Sequence, residues 1–238
     1  MIDLHTVPTA NGYKASIMLE EIGLPYRVEM YDLLKGENLK PELLALNRVG
    51  RLPVIVDHDV EGDPLPIYGS AAILQYLAEK TGQFMPRSKR GRYEVLQWLT
   101  FQVANVGPMF GQCGHFLGYA PRKIRYAMDR YRNETLRLYG VMDRRLADVE
   151  YLAGRYSIAD MATWPWVRVR WLHKIDLAEF PNVARWYEAI GQRPAVQRGV
   201  ALLDQREKIG NPDEKAREAL FGQSQLTQGK ARRVVRSR

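Results

Sequence analysis

Gly50-Arg51-Leu52-Pro53-Val54-Ile55-Val56-Asp57 is the stretch on which the reading of this chain turns. A proline at the entry of a β-branched run cannot donate to a sheet ladder, so it belongs at a strand edge or a bulge. If the Leu52–Pro53 peptide is cis, the chain turns sharply there and leaves the backbone N–H and C=O of Leu52 facing solvent. Such a pair can hold a peptide-like ligand in the way an added strand is held. Ser70 then opens an apolar helical run, at the place of a helix N-cap, beside N–H groups that favour an anion. A peptide backbone caught at Leu52 with its carboxylate near Ser70 is what a γ-glutamyl peptide would need.

Outward from this stretch the pattern is that of a small mixed sheet with helices. Ile2 to Thr6 alternates as a short strand, and a helical pattern runs from Asn11 through Ile17, Met18, Leu19 and Ile22 to Gly23. Tyr26 to Tyr31 reads as a second strand, Pro41 to Asn47 as a short helix with proline in its first turn, and Pro53 to Asp57 as a buried strand. Leu65 to Tyr68 is a fourth strand, and Ser70 to Thr81 a helix closed by Gly82. The order β-α-β-α-β-β-α matches a thioredoxin-like layer of helices on a mixed sheet. Beyond it the strand signal fades, and helical runs are expected at 90–107, 121–148, 157–172, 181–192 and 194–205. Gly107-Pro108 is expected to break the first, and Pro165 to bend the third. Ser157 and Asp160 form a capping box at the start of that third run, a structural device. The expected organisation is a thioredoxin-like domain over 1–82, a linker over 83–89, an all-helical domain over 90–206 and a polar, basic extension over 207–238.

Composition narrows the function classes. Of the 238 residues, 46% are apolar and 10% aromatic, which is enough to build a folded core. No apolar run reaches the ~18 residues of a membrane span. Met1-Ile2-Asp3-Leu4 lacks the basic flank and apolar core of a signal peptide. Cys113 is the sole cysteine, so no intramolecular disulfide can form, and a cytoplasmic address is expected. Four scattered histidines and one cysteine give no metal-ligand set. The net charge of +8 is uneven: residues 1–82 are acidic on balance, whereas the last sixteen residues carry Lys230, Arg232, Arg233, Arg236 and Arg238 with no acid among them. That tail reads as a solvated terminus, and neither a membrane nor a nucleic acid is expected as partner.

With these elements placed, a family resemblance emerges. Pro8-Thr9-Ala10-Asn11-Gly12, Leu19-Glu20-Glu21-Ile22-Gly23-Leu24-Pro25-Tyr26 and Lys35-Gly36-Glu37-Asn38 are its first marks. Leu52-Pro53, Ser70-Ala71-Ala72-Ile73-Leu74, Gly107-Pro108-Met109 and Ser157-Ile158-Ala159-Asp160 follow in order. Over residues 1 to about 205 the chain resembles the glutathione transferases, and within them the Nu-class branch of bacterial disulfide-bond oxidoreductases. The resemblance implies an N-terminal thioredoxin-like domain followed by a helical domain, a homodimer, and glutathione as substrate or co-substrate. It implies that Thr9 and Asn11 approach the glutathione sulfur, and that Asn38 and Arg51 meet its glycyl end. By the same likeness Leu52, before Pro53, pairs with the cysteinyl unit, Ser70 holds the γ-glutamyl carboxylate, and Arg130 reaches the ligand across the dimer interface. Two positions depart from the family pattern: Arg51 replaces a lysine, and Gly69 stands where an acidic residue meets the γ-glutamyl ammonium. Losing that charge-assisted hydrogen bond would cost ~1.5–3 kcal/mol.

The chemistry implied is thiol–disulfide exchange in which glutathione supplies the thiols, since residues 1–112 contain no cysteine. A thiolate is required, and lowering a thiol pKa by ~2 units takes ~2.7 kcal/mol of preferential stabilisation. Thr9 and Asn11 at a helix N-terminus could supply most of it; alternatively, both only end a strand and cap a helix. His5 reads as a partly buried strand residue, Cys113 as a packed thiol, and Trp164, Trp166 and Trp171 as packing between helices. His115 is a weaker candidate for lining a substrate pocket. Tyr93, Trp98, Phe101 and Met109 are expected on the helix facing the first domain. Two further readings are a conventional glutathione-conjugating transferase and a non-catalytic binding or regulatory protein of the same fold.

Overall fold

The computed structural model describes residues 1–204 and 213–222. Its elements are β1 (Ile2–Thr6), α1 (Ala10–Ile22), β2 (Tyr26–Met30), α2 (Pro41–Leu46), β3 (Val54–Asp57), β4 (Leu65–Tyr68), α3 (Ser70–Thr81), α4 (Lys89–Phe101), α5 (Gly107–Gly114), α6 (Arg125–Asp148), α7 (Ile158–Arg168), α8 (Pro181–Gly191), α9 (Pro194–Asp204) and α10 (Glu214–Phe221). The four strands form one sheet in the order β2-β1-β3-β4. β1 runs parallel to β2, with Leu4 opposite Val28, and antiparallel to β3, with Leu4 opposite Ile55. Every residue of β3 is buried, the apolar Val54, Ile55 and Val56 as well as Asp57, whereas β4 is mostly exposed at the edge. This is the mixed sheet of a thioredoxin-like N-terminal unit with helices around it, and the described elements after Gly82 are helical apart from a single isolated β-bridge.

Helix α1 joins the sheet to the helices that follow. Its buried residues Ala15, Ile17, Met18 and Leu19 belong to the same apolar cluster as Leu4, Leu74, Met161 and Val196. At Gly199 on α9 a Cβ would lie 2.8 Å from the Ile17 backbone, so a glycine is what permits this close approach. Ser16 Oγ donates to the Gly199 carbonyl at 2.8 Å. Arg193 grips Glu21 with two hydrogen bonds, at 2.7 and 2.9 Å. The middle and C-terminal turns of α1 are therefore held between the sheet and the helical part.

The capping box at Ser157 is present, and Asp160 does more than close it. Its Oδ2 accepts from the Ser157 N–H and Oγ, while Oδ1 accepts from the Leu152 N–H and from Trp186 Nε1. Burial raises this carboxyl to about 6 against the pull of its four donors. One side chain thus ties the loop before α7 to α8.

Three expectations need correcting. Gly107-Pro108 does not break the helix: a π-helical turn over Gln102–Val106 leads straight into α5, with Gly107 N–H bonded to the Gln102 carbonyl. The wider turn gives the proline ring room against the turn before it, so Pro108 is accommodated inside a continuous helical run. A second π-turn, His115–Tyr119, ends the run. Ser70 is the first helical residue of α3, and the cap position belongs to Gly69. Lastly, the polar extension expected over 207–238 holds a helix among its described residues: Asp213 caps α10 by accepting from the Ala216 N–H, and α10 packs on the 3-10 turn Leu33–Lys35. The basic cluster from Lys230 to Arg238 lies outside the described residues.

Candidate active site

Two adjoining cavities open where the C-terminal end of β1, the N-termini of α1 and α3, and α5 with α7 converge. The larger, about 790 Å³, is lined by Asn11, Lys14, Leu52, Pro53, Ser70 and Gln102 among others. The smaller, about 420 Å³, is lined by Thr9, Tyr13, Phe110, Tyr119, Trp171 and Phe221 among others, and is mainly apolar. Arg51, Gly111 and Trp166 border both, so the two are lobes of one cleft.

The Leu52–Pro53 peptide is cis, and the sheet register begins only at Val54, which leaves the Leu52 backbone on the wall of the larger lobe and out of the ladder. Arg51 also faces this lobe, and its guanidinium has no ion-pair partner among the described residues. Asn47 positions this loop: its Nδ2 donates to the Arg51 carbonyl at 2.7 Å, and its Oδ1 accepts from the Val49 N–H. Asn38 acts similarly, donating to the Gly50 carbonyl at 2.9 Å, and lines neither lobe. Gly69 has φ 84°, and a Cβ there would meet nothing within 4 Å, so the space beside Ser70 is open.

Thr9 is the N-cap of α1, its Oγ1 accepting from the Gly12 N–H at 3.3 Å. A hydroxyl that accepts one bond keeps its own proton to donate, so capping and donation toward the cleft are compatible. Thr9 faces the apolar lobe and Asn11 the larger one, so the first turn of α1 flanks the place where the lobes meet. The positive end of the helix favours an anion there.

Sequence reasoning missed Lys14. This lysine is buried, with Nζ 2.8 Å from Gln102 Oε1 and 3.3 Å from Ser70 Oγ. Burial alone pulls its amine down to about 7. Its position three and four residues before Ile17 and Met18 places it on the apolar face of α1, a signal legible in the sequence. Trp166 packs against the core, as expected, and also borders both lobes, whereas Trp171 is exposed at the apolar one. Trp164 does pack, stacked on Tyr187 with Nε1 donating to the Tyr187 carbonyl.

The other candidates lie elsewhere. Arg130 is exposed on α6, 3.8 Å from Glu134, and lines neither lobe. His5 Nδ1 meets Tyr31 Oη at 2.9 Å. Cys113 is buried in α5, where desolvation pushes its thiol up. His115 stands edge-on to Phe221 outside both lobes, and Tyr93, Trp98, Phe101 and Met109 also line neither.

His173 does line the apolar lobe, buried against Phe110, and desolvation takes its imidazole down to about 4, partly opposed by the Phe110 carbonyl. The unfolded chain takes up this proton near 6.5 and the folded one only near 4, so this group's contribution to stability falls as pH drops through that window. The wild type should therefore lose about 2 kcal/mol more than His173→Gln between pH 7 and 4.5, measured by urea unfolding. Asp160 titrates in the opposite sense but is common to both proteins. Equal losses would refute this assignment.

Comparison with known proteins gives the family. Residues 10–80 match the family model of the glutathione S-transferase N-terminal domain. The chain is 48% identical over 206 residues to the disulfide-bond oxidoreductase YfcG of Escherichia coli, covering 85% of this chain and 95% of that protein. It belongs to the glutathione transferase family. The disulfide-bond oxidoreductase YghU of the same bacterium is 38% identical, over 83% of this chain and 73% of its own length. Among solved structures, a glutathione transferase from Burkholderia graminis with two glutathione molecules bound per subunit superposes with a TM-score of 0.79 at 44% identity, covering 84% of this chain and 87% of that one. One from Pseudomonas putida, with one glutathione disulfide per subunit, gives 0.79 at 43%, over 84% and 90%.

Proposed function

We propose that this glutathione transferase is a glutathione-dependent disulfide oxidoreductase. The observation that carries the reading is the pairing of the two lobes. One is walled by the Leu52 backbone, Arg51 and Ser70, suited to a γ-glutamyl peptide; the other is apolar; the first turn of α1 gives Thr9 to the apolar lobe and Asn11 to the larger one. No cysteine lines either lobe, so both attacking sulfurs come from glutathione. Arg51 meets the glycyl carboxylate, Leu52 pairs with the cysteinyl unit, Ser70 and the N-terminus of α3 hold the γ-glutamyl carboxylate, and Asn38 braces the Arg51 loop from behind.

The first glutathione thiolate, held by the Thr9 hydroxyl, the Asn11 amide and the positive end of α1, attacks one sulfur of the substrate disulfide. A glutathione–substrate mixed disulfide forms and the other half leaves as thiolate. A second glutathione thiolate then attacks the glutathione sulfur of the mixed disulfide, giving glutathione disulfide and the second substrate thiolate. The two protons lost from glutathione end on the two product thiols. The names of YfcG and YghU support this reaction, as do the relatives that hold two glutathiones or one glutathione disulfide.

A conjugating activity is the second reading, favoured by the aromatic walls of the smaller lobe, which suit an apolar electrophile. We also assign the chain to the cytoplasm and to a homodimer, in which Arg130 and the 81%-exposed Tyr126 on α6 face the second subunit. Among the described residues no helix is long and apolar enough to cross a membrane.

Calorimetric titration with reduced and oxidised glutathione, paired with turnover of a small disulfide, tests the proposal. A dissociation constant on the order of micromolar and glutathione-dependent disulfide reduction are expected. Absence of heat up to millimolar ligand would end the glutathione reading. Binding accompanied by arene conjugation but no disulfide reduction would favour the second.

A further inference from the structure

We propose that the inner end of the larger lobe selects the carboxylate of the γ-glutamyl group and ignores its ammonium, with Lys14 as the counter-ion. This rests on the glutathione reading and adds which charges of the ligand are read.

Lys14 is the most deeply placed cation of the cleft. Its Nζ is satisfied only by neutral oxygens, Gln102 Oε1 and Ser70 Oγ, and it makes no ion pair with a carboxylate among the described residues. A buried ammonium in such company is poorly compensated until an anion arrives. Ser70 is the point at which that anion would dock: it opens α3, and its hydroxyl oxygen is already within 3.3 Å of Nζ. A carboxylate accepting from the Ser70 hydroxyl and from the free N–H groups of the first turn of α3 comes to rest beside the ammonium.

The ligand's own ammonium, one carbon from that carboxylate, meets the opposite situation. Among the described residues neither lobe is lined by an aspartate or a glutamate. Gly69, next to Ser70, has no side chain to offer, and the space a Cβ would enter is empty. The charged residues that line the larger lobe among those described, Lys14 and Arg51, are both cations. A positive group here gains no partner and is opposed by two like charges.

Two analogues of glutathione separate these roles in the unmodified full-length protein. Glutaryl-cysteinylglycine keeps the carboxylate and lacks the ammonium; 4-aminobutyryl-cysteinylglycine keeps the ammonium and lacks the carboxylate. The first should bind within about threefold of glutathione or more tightly, and the second at least about thirtyfold more weakly, by calorimetry. Lys14→Met, checked for folding by circular dichroism, should weaken glutathione and its deaminated analogue by about tenfold or more. Glutathione binding tenfold more tightly than the deaminated analogue would overturn the inference, since an acid, such as one from a second copy of the chain, would then be reading the ammonium. Equal binding of the decarboxylated analogue, or a folded Lys14→Met of undiminished affinity, would also overturn it while leaving the glutathione reading intact. Failure of glutathione itself to bind would remove both.

Discussion

Thr9→Ala should lower glutathione-dependent turnover of a small disulfide by tenfold or more, with glutathione disulfide still binding within about threefold of wild type. The hydroxyl is asked to stabilise a charge present on the thiolate and absent from the disulfide, so its loss falls on rate and not on product affinity. In the pH–rate profile the acid limb should move up, because the bound thiol regains part of the ~2.7 kcal/mol that a two-unit depression represents. Thr9→Ser keeps the oxygen and should restore most of the rate. Thr9 also caps α1 through the Gly12 N–H, so the alanine variant should lose about 1 kcal/mol of stability. That loss alone cannot produce a tenfold rate effect in a folded enzyme. An unchanged pH profile with full turnover would show that Thr9 serves only as a cap.

Asp160→Asn should be the most damaging single-atom change in the fold, costing about 3–5 kcal/mol and lowering Tm by on the order of 10 °C. Both carboxylate oxygens accept, and all four of their partners are donors: two backbone N–H groups, a hydroxyl and an indole N–H. An amide replaces one acceptor with an NH₂ that must point at two of those donors in a site closed to water. The damage should show as lost cooperativity in the loop 149–157 and in α7 and α8 together. A Tm within about 2 °C of wild type would mean that the site rearranges and that Asp160 is not the tie described above.

Much of the fold was legible because its signals are local. Gly23 and Gly82 close α1 and α3, Pro53 marks the entry to β3, and Ser157 with Asp160 starts α7, each through chemistry confined to a few neighbouring residues. Thr9, Asn11, Arg51, Leu52 and Ser70 all come to the cleft because they sit at ends of such elements. What could not be read depends on distant packing. The segment Glu214 to Phe221 looks polar until Leu220 and Phe221 are placed against the apolar lobe and the 3-10 turn Leu33–Lys35. The π-turn before α5 hides in a helical pattern, since an extra residue in a turn leaves composition unchanged. Trp164 and Trp166 read alike in the sequence, yet two residues of helix turn them about 200° apart, Trp164 into the core and Trp166 against its edge where the cleft begins. That difference was available from the spacing; the partners of Lys14 were not, because Ser70 and Gln102 lie on other elements.

The position of α10 bears on how the protein is handled at the bench. Leu220 and Phe221 form part of the wall of the smaller lobe, with Phe221 close to both His115 and Tyr119. Cutting the chain before Asp213 would take this wall away and leave the second-substrate lobe open on that side. Met1, by contrast, lies at the far end of β1, its carbonyl bonded to the His58 N–H, some ~17 Å of strand from the residues that open onto the cleft. Amino-terminal fusions leave that wall untouched, whereas an inhibitor screen run on a protein shortened before Asp213 would score a lobe that the full chain does not have.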